Sequence, residues 1–135
     1  MKKLFSINYT AGSFNIALLL LRACAGILLM SHGYDKLVHF AEYQKSFMSF
    51  LGMGSSLSLA LVIFSEFFCS IFLVIGLFSR LVTIPIIIGL CVAVFKAHNG
   101  EFFGKGELAS LYLTCFIVVL LVGPGKISVD GLIKK

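Results

Sequence analysis

Charged residues are scarce in this sequence, which contains 13% Asp, Glu, Lys and Arg and 59% hydrophobic residues. Soluble domains average about 25% charged residues, because their surfaces face water. At 135 residues the chain has the length of one domain, and so few charges could not cover a soluble one. The composition therefore excludes a soluble globular domain and indicates a chain whose apolar exterior is solvated by lipid.

Metal-binding and redox motifs are also missing. No two cysteines form a CxxC pair, and there is no HxxH or neighbouring Cys–His pair, so we predict no metal site. The basic residues form no continuous stripe with aromatic residues, which excludes a nucleic acid as a partner. The cysteines fall one in each apolar run, where a buried thiol behaves as a small hydrophobic group: Cys24, Cys69, Cys91 and Cys115.

Apolar residues are concentrated in four long runs, at residues 14–33, 57–78, 80–98 and 108–123. A helix of about 20 residues crosses the ~30 Å hydrocarbon core of a bilayer. Glycine, serine and proline separate the runs, and Gly123-Pro124-Gly125 ends the last of them. We therefore predict an all-α integral membrane four-helix bundle with short loops, formed by one domain over residues 1–135.

The stretch from Tyr34 to Phe50 is amphipathic, with aromatic residues near helical spacing. It predicts a helix that lies on the membrane surface or caps the bundle, and a plain loop is the alternative. The N-terminal run resembles a signal sequence, with Lys2 and Lys3 ahead of it and small residues around Cys24. Arg22 interrupts its apolar core, however, and the run continues beyond Cys24, so we predict an uncleaved first membrane helix.

The distribution of lysine and arginine predicts the orientation. If the helices alternate in direction, one side carries six basic residues: Lys2, Lys3, Arg80, Lys126, Lys134 and Lys135. The other side carries four: Lys36, Lys45, Lys96 and Lys105. Because the side richer in Lys and Arg stays in the cytoplasm, both termini are predicted to be cytoplasmic.

Arg22 and Glu66 are ionisable residues inside the apolar runs. Counted from the ends of their runs, they lie ~16 Å and ~13 Å deep, which predicts that they pair inside the bundle. An unpaired charge there costs at least ~3 kcal/mol. The pair either fixes two helices together or builds a cavity for a proton or a ligand. Gly26, Leu29, Gly33 and Lys36 share the helical face of Arg22, so this face is predicted to point inward.

The histidines predict a second candidate site. His32 ends the first run and His98 ends the third, and both lie on the predicted outer side. With Lys36, they could bind an anion or exchange protons with a quinone-like head group, because histidine titrates nearest to neutrality. The alternative is a set of solvated interfacial side chains.

Several segments together resemble the DoxX family. Arg22, Gly26 and the segment Ser31 to Leu37 are similar to its arginine, glycine and "hG-x-x-K-L" pattern. Glu66 followed by Ile75 to Leu81 resembles "E…l-G-L-x-x-R", and Gly123 to Gly131 resembles "GPG-[RK]-x-S-x-D". The resemblance extends from Leu18 to Leu132.

This resemblance implies a bacterial inner-membrane protein with four helices. Family members are named for a small subunit associated with quinol oxidase and thiosulfate:quinone oxidoreductase systems, and others are linked to a complex for thiol and oxidative stress. The chain has no haem, flavin or iron–sulfur signature, so no intrinsic cofactor is expected and a quinone is the candidate ligand. We expect an accessory subunit of a quinone-linked respiratory or thiol-redox assembly rather than a complete enzyme.

Two alternatives to this function remain open. One is a small-molecule binder or carrier whose polar cavity contains Arg22 and Glu66. The other is a structural anchor that recruits a soluble partner through the stretch from Tyr34 to Phe50. Besides the lipid bilayer, the protein partners considered are the subunits of a redox complex and a second copy of this chain.

Overall fold

The structure is a computed structural model that describes residues 2–46, 52, 54–97 and 106–133. Every regular element in those ranges is helical, which confirms the predicted all-α class for the described part of the chain. After a 3-10 turn at Lys2–Phe5, the elements are α1 (Ala11–Val38), α2 (Phe40–Ser46), α3 (Ser55–Ile63), α4 (Cys69–Ile75), α5 (Ser79–Val92), α6 (Glu107–Val122) and α7 (Val129–Ile133).

Within the described residues, two helices are long and apolar enough to cross a membrane. The first is α1, and the second runs from Ser55 to Ile75 through α3 and α4. Two shorter apolar helices follow, Ser79–Phe95 and Glu107–Val122. α1 extends beyond the apolar run at 14–33 at both ends. Thr10 caps its first turn, and the helix continues to Val38. The C-terminal end of the third predicted helix, at His98, lies outside the described residues.

The helix from Ser55 to Ile75 is interrupted in the middle by a π-helical turn. Between α3 and α4, residues Phe64–Phe68 form a π-helical turn, in which the Cys69 N–H donates to the Phe64 carbonyl. A second π-helical turn, Ala93–Ala97, continues α5. Such turns insert an extra residue into a helix and often accompany functional sites. The first one contains Glu66.

α1 packs closely on the second membrane helix through two glycines. A Cβ atom at Gly33 would lie 2.7 Å from the Phe67 nitrogen, and one at Gly26 would lie 2.7 Å from Val74. Glycine therefore permits backbone approach at both positions. The buried residues of α1 form one stripe, as the helical wheel predicts: Leu18, Arg22, Ala25, Gly26, Leu29 and Gly33.

The apolar core lies where α1, α4, α5 and α6 meet. Phe116 of α6 and Leu73 of α4 are completely buried there, beside Leu29 of α1 and Ile86 of α5. α5 packs along α6 and α4, and α1 packs along α4 and α6. Many apolar side chains on the outside of these helices remain exposed in the isolated chain, as expected where lipid replaces water as the solvent.

The amphipathic stretch forms two different structures rather than one. Its first residues, Tyr34 to Val38, complete α1, and a separate helix α2 covers Phe40–Ser46. α2 has no buried residue and packs against α3, where the Gln44 amide donates to the Ser56 hydroxyl. The remainder of the predicted stretch, residues 47–50, lies outside the described part.

Candidate functional site

Arg22 is bound by the C-terminal segment of the chain. Its Nη1 donates to the Pro124 carbonyl at 2.5 Å and its Nη2 to the Ile127 carbonyl at 2.8 Å. The side chain is 2% exposed, so these carbonyls replace water as the acceptors for a buried guanidinium. Arg22 therefore holds residues 124–127 against the middle of α1.

Asp130 attaches the same segment to the start of α5. Its two carboxylate oxygens accept hydrogen bonds from the Phe78 and Ser79 N–H groups, at 2.8 and 2.9 Å. Its own N–H donates to the Gly76 carbonyl, and Gly76 has a left-handed φ of 79°. A Cβ atom at Gly76 would clash with the side chain of Ser128, so only glycine fits under this segment. We call residues 123–133 the C-terminal clasp.

The capping role of Asp130 leads to the first prediction. Replacing Asp130 with alanine leaves two N–H groups at the start of α5 without their acceptor. The expected loss of stability is about 0.5–2 kcal/mol, the range for a lost helix cap. Thermal unfolding in detergent should show a lower Tm for Asp130→Ala and a smaller decrease for Asp130→Asn, whose amide oxygen can still accept. The matched control is Glu42→Gln on exposed α2, and an equal decrease there would contradict the capping role.

Arg22 and Glu66 do not form the predicted pair. Gly33 of α1 is the residue that lies against Glu66, and Gly33 is eleven positions beyond Arg22 along the helix. At 1.5 Å per residue, the two charges are therefore offset by roughly 16 Å along α1. The prediction was wrong because depths were counted from the ends of the apolar runs. Close packing at Gly33 fixes how far α1 is shifted along the helix that carries Glu66, and this shift places Arg22 away from Glu66.

Glu66 instead pairs with Lys36. Lys36 Nζ lies 2.5 Å from Glu66 Oε2, and the two side chains are 22% and 13% exposed. Lys36 reaches inward from the last turns of α1, on the same face as Arg22, while the π-helical turn carries Glu66. The result is a half-buried ion pair between two membrane helices.

Aromatic side chains lie close to this ion pair along α1 and the π-helical turn. Tyr112 of α6 is 8% exposed and lies beside α1. The His32 ring meets the Tyr112 ring edge-on, with centroids 6.0 Å apart. Tyr34 packs against Phe67, the residue after Glu66, at a centroid distance of 6.1 Å. We call the group Lys36, Glu66, His32 and Tyr112 the polar cluster.

The predicted histidine site is only partly present in the described residues. His32 is exposed and joins the polar cluster through Tyr112, and Lys36 contributes its ammonium group. His98 lies outside the described residues, so its predicted position beside His32 stays a prediction. In the described part of the chain, no group of three His, Cys, Asp or Glu side chains is placed to hold a metal ion.

A surface network joins α2 to the end of α1. Tyr43 Oη donates to Asp35 Oδ2 at 2.6 Å, and His39 Nδ1 lies 3.2 Å from Asp35 Oδ1. The hydrogen bond to this carboxylate raises the pKa of Tyr43 above its ordinary value. His39 and Asp35 are about half exposed. This network orients α2 against the end of α1.

The described residues form only helices, two of them long and apolar enough to cross a membrane, with an ion pair between these two, as is found in helical membrane proteins. The family model for DoxX matches residues 17–99, and the chain belongs to the DoxX family. The match includes Arg22, Lys36 and Glu66 and ends before the C-terminal clasp. Comparisons with curated proteins and with solved structures gave no match. The chain is thus a membrane protein of the DoxX type.

Proposed function

We propose that this chain is an accessory subunit of a quinone-linked respiratory or thiol-redox assembly in the bacterial inner membrane. In this proposal α1, the α3–α4 helix, α5 and α6 are the four membrane spans. α5 and α6 are shorter than the first two, and both are apolar and pack into the same core. The polar cluster is the proposed site for the quinone head group.

The observation that carries the proposal is the Lys36–Glu66 ion pair. A lysine ammonium has three N–H donors, and the bond to Glu66 uses one of them. A quinone carbonyl could accept a hydrogen bond from another, and the Glu66 carboxylate could accept one from a hydroquinone hydroxyl. Both side chains are partly exposed, so a head group could reach them without unfolding the helix pair. Tyr112 and His32 would supply aromatic surface beside the ring.

Contacts between the chain ends support the proposed topology. The Asn15 side chain near the start of α1 accepts a hydrogen bond from the Lys126 N–H at 2.9 Å, and Asp130 caps α5. The start of α1, the turn before α5 and the C-terminal clasp therefore lie at one end of the molecule. Among the described residues, that end carries Lys2, Lys3, Arg80 and Lys126, which supports cytoplasmic termini.

Ligand extraction from purified protein tests this function. We expect the parent protein to retain quinone, measured by mass spectrometry of the extracted lipids. Lys36→Met should retain at least about tenfold less, because a hydrogen bond to a charged group contributes roughly 1.5–3 kcal/mol. Lys45→Gln on exposed α2 is the control and should retain as much as the parent.

Other outcomes of the extraction identify the alternative functions. Enrichment of a different metabolite, lost in Lys36→Met, would favour a small-molecule binder or carrier. Absence of any enriched ligand, in protein that unfolds cooperatively, would favour a structural anchor. Either result overturns the quinone proposal. In the carrier hypothesis the accessible part of the cavity is Glu66 with Lys36, since Arg22 is 2% exposed and two of its N–H groups donate to carbonyl groups of the C-terminal clasp.

A further inference from the structure

Arg80 has a fixed and accessible guanidinium at the end of the molecule opposite the polar cluster. Its Nη2 donates to the Val122 carbonyl at 3.4 Å, at the end of α6. A Cβ atom at Gly123 would lie 3.3 Å from Arg80 Nη2 and 3.4 Å from Nε. The guanidinium therefore packs against the main chain at Gly123, where there is no side chain. Arg80 is nevertheless exposed. A guanidinium has five N–H donors, and this contact uses one of them.

The surroundings of Arg80 are apolar and exposed. Phe78 is 58% exposed, Leu81 66% and Leu121 73%, on the two helix ends that Arg80 connects. One helical turn further along α5, Ile84 is 45% exposed. In a membrane these side chains face acyl chains, while the guanidinium lies where the helices end. The positive guanidinium of Arg80 therefore lies at one edge of an exposed apolar surface on α5 and α6.

Charge at this end of the molecule favours an anionic ligand. Lys126 in the C-terminal clasp is exposed, and Lys2 is exposed in the turn that precedes α1. Asp130, the acidic residue of the C-terminal clasp, directs its carboxylate at the Phe78 and Ser79 N–H groups. Basic residues near a membrane surface attract anionic lipids by about 1 kcal/mol each.

We propose that Arg80 is the head-group site for an anionic phospholipid whose acyl chains cover Leu81, Ile84 and Leu121. The planar guanidinium matches the geometry of a phosphate diester. The exposed apolar side chains beside it select a lipid over a free phosphate ion. This site is independent of the quinone proposed for the polar cluster, and it requires only that the chain lies in a membrane.

Native mass spectrometry of the detergent-purified chain tests the lipid site. Phosphatidylglycerol and phosphatidylcholine are titrated separately, and the fraction of lipid-bound protein is measured. The parent should bind phosphatidylglycerol preferentially. Arg80→Gln should weaken this binding about fivefold, the equivalent of one basic contact at a membrane surface, and weaken phosphatidylcholine binding less, because that lipid carries no net charge. Arg80→Lys should recover part of the affinity, because it restores the charge but not the planar donor group.

The control is Lys45→Gln, which removes one charge from the opposite end of the molecule. An equal loss of phosphatidylglycerol binding in this variant would show general charge attraction and overturn the site. Displacement of the lipid by inorganic phosphate would show a free-anion site, which also overturns it. The same spectra report oligomeric state. If Arg80→Gln dissociates an oligomer without changing lipid binding, the surface is an interface between copies of the chain and the proposal is wrong.

Discussion

Replacing Arg22 with alanine is expected to destabilise the protein by about 3–5 kcal/mol. The substitution removes two hydrogen bonds from a charged group, each contributing roughly 1.5–3 kcal/mol, and leaves two partly buried carbonyls without these donors. Pro124 and Ile127 would then lose the contacts that hold the C-terminal clasp against α1. Thermal unfolding in detergent should show the decrease as a lower Tm. Arg22→Lys should recover only part of it, because one ammonium group replaces a fork that spans two carbonyls.

Double substitutions identify the partner of Arg22. Arg22→Ala and Asp130→Ala both release the C-terminal clasp, so their combined effect should be smaller than the sum of the two. Arg22→Ala and Glu66→Ala affect sites roughly 16 Å apart along α1, and their effects should add to within about 0.5 kcal/mol. Coupling above this value between Arg22 and Glu66 would contradict the observed register and restore the predicted ion pair.

The sequence could predict which face of α1 points inward. Arg22, Gly26, Leu29 and Gly33 recur at helical spacing, and the structure buries all of them. The inward face could be predicted without knowing the neighbouring helices, because the spacing of these residues follows from the 3.6-residue helical period alone. Lys36 belongs to the same face, so the signal for its inward direction was already present in the sequence.

The partners of these charges could not be predicted in the same way. The residue that pairs with Glu66 is determined by the axial offset between α1 and the second membrane helix. Contact at Gly33, rather than the ends of the apolar runs, determines that register. The π-helical turn around Glu66 also rotates the residues that follow it, and apolar periodicity gives no sign of such a turn.

The hydrogen-bond acceptors of Arg22 could not be predicted for a different reason. Its acceptors are backbone carbonyls at Pro124 and Ile127, which have no signature in the side-chain sequence. The relevant signal was the resemblance of Gly123 to Gly131 to a family pattern, with Asp130 at its end. That pattern indicated importance but not the physical role, which is to satisfy a buried guanidinium and cap α5.

The Lys36–Glu66 ion pair should show strong coupling in stability. Replacing either residue alone with an apolar one leaves the other charge half-buried between helices. Breaking a fully buried pair costs about 3–5 kcal/mol, and we expect about 2–3 kcal/mol here because water reaches both side chains.

Replacing both charges together should recover most of this loss. Lys36→Met combined with Glu66→Leu removes the stranded charge and adds apolar surface between α1 and the π-helical turn. Thermal unfolding of the parent, the two single variants and the double variant gives the coupling free energy directly. If the double variant is destabilised by the sum of the single effects, the pair contributes no mutual stabilisation in solution. A stable double variant that no longer retains quinone would separate the structural role of the pair from its proposed role in binding.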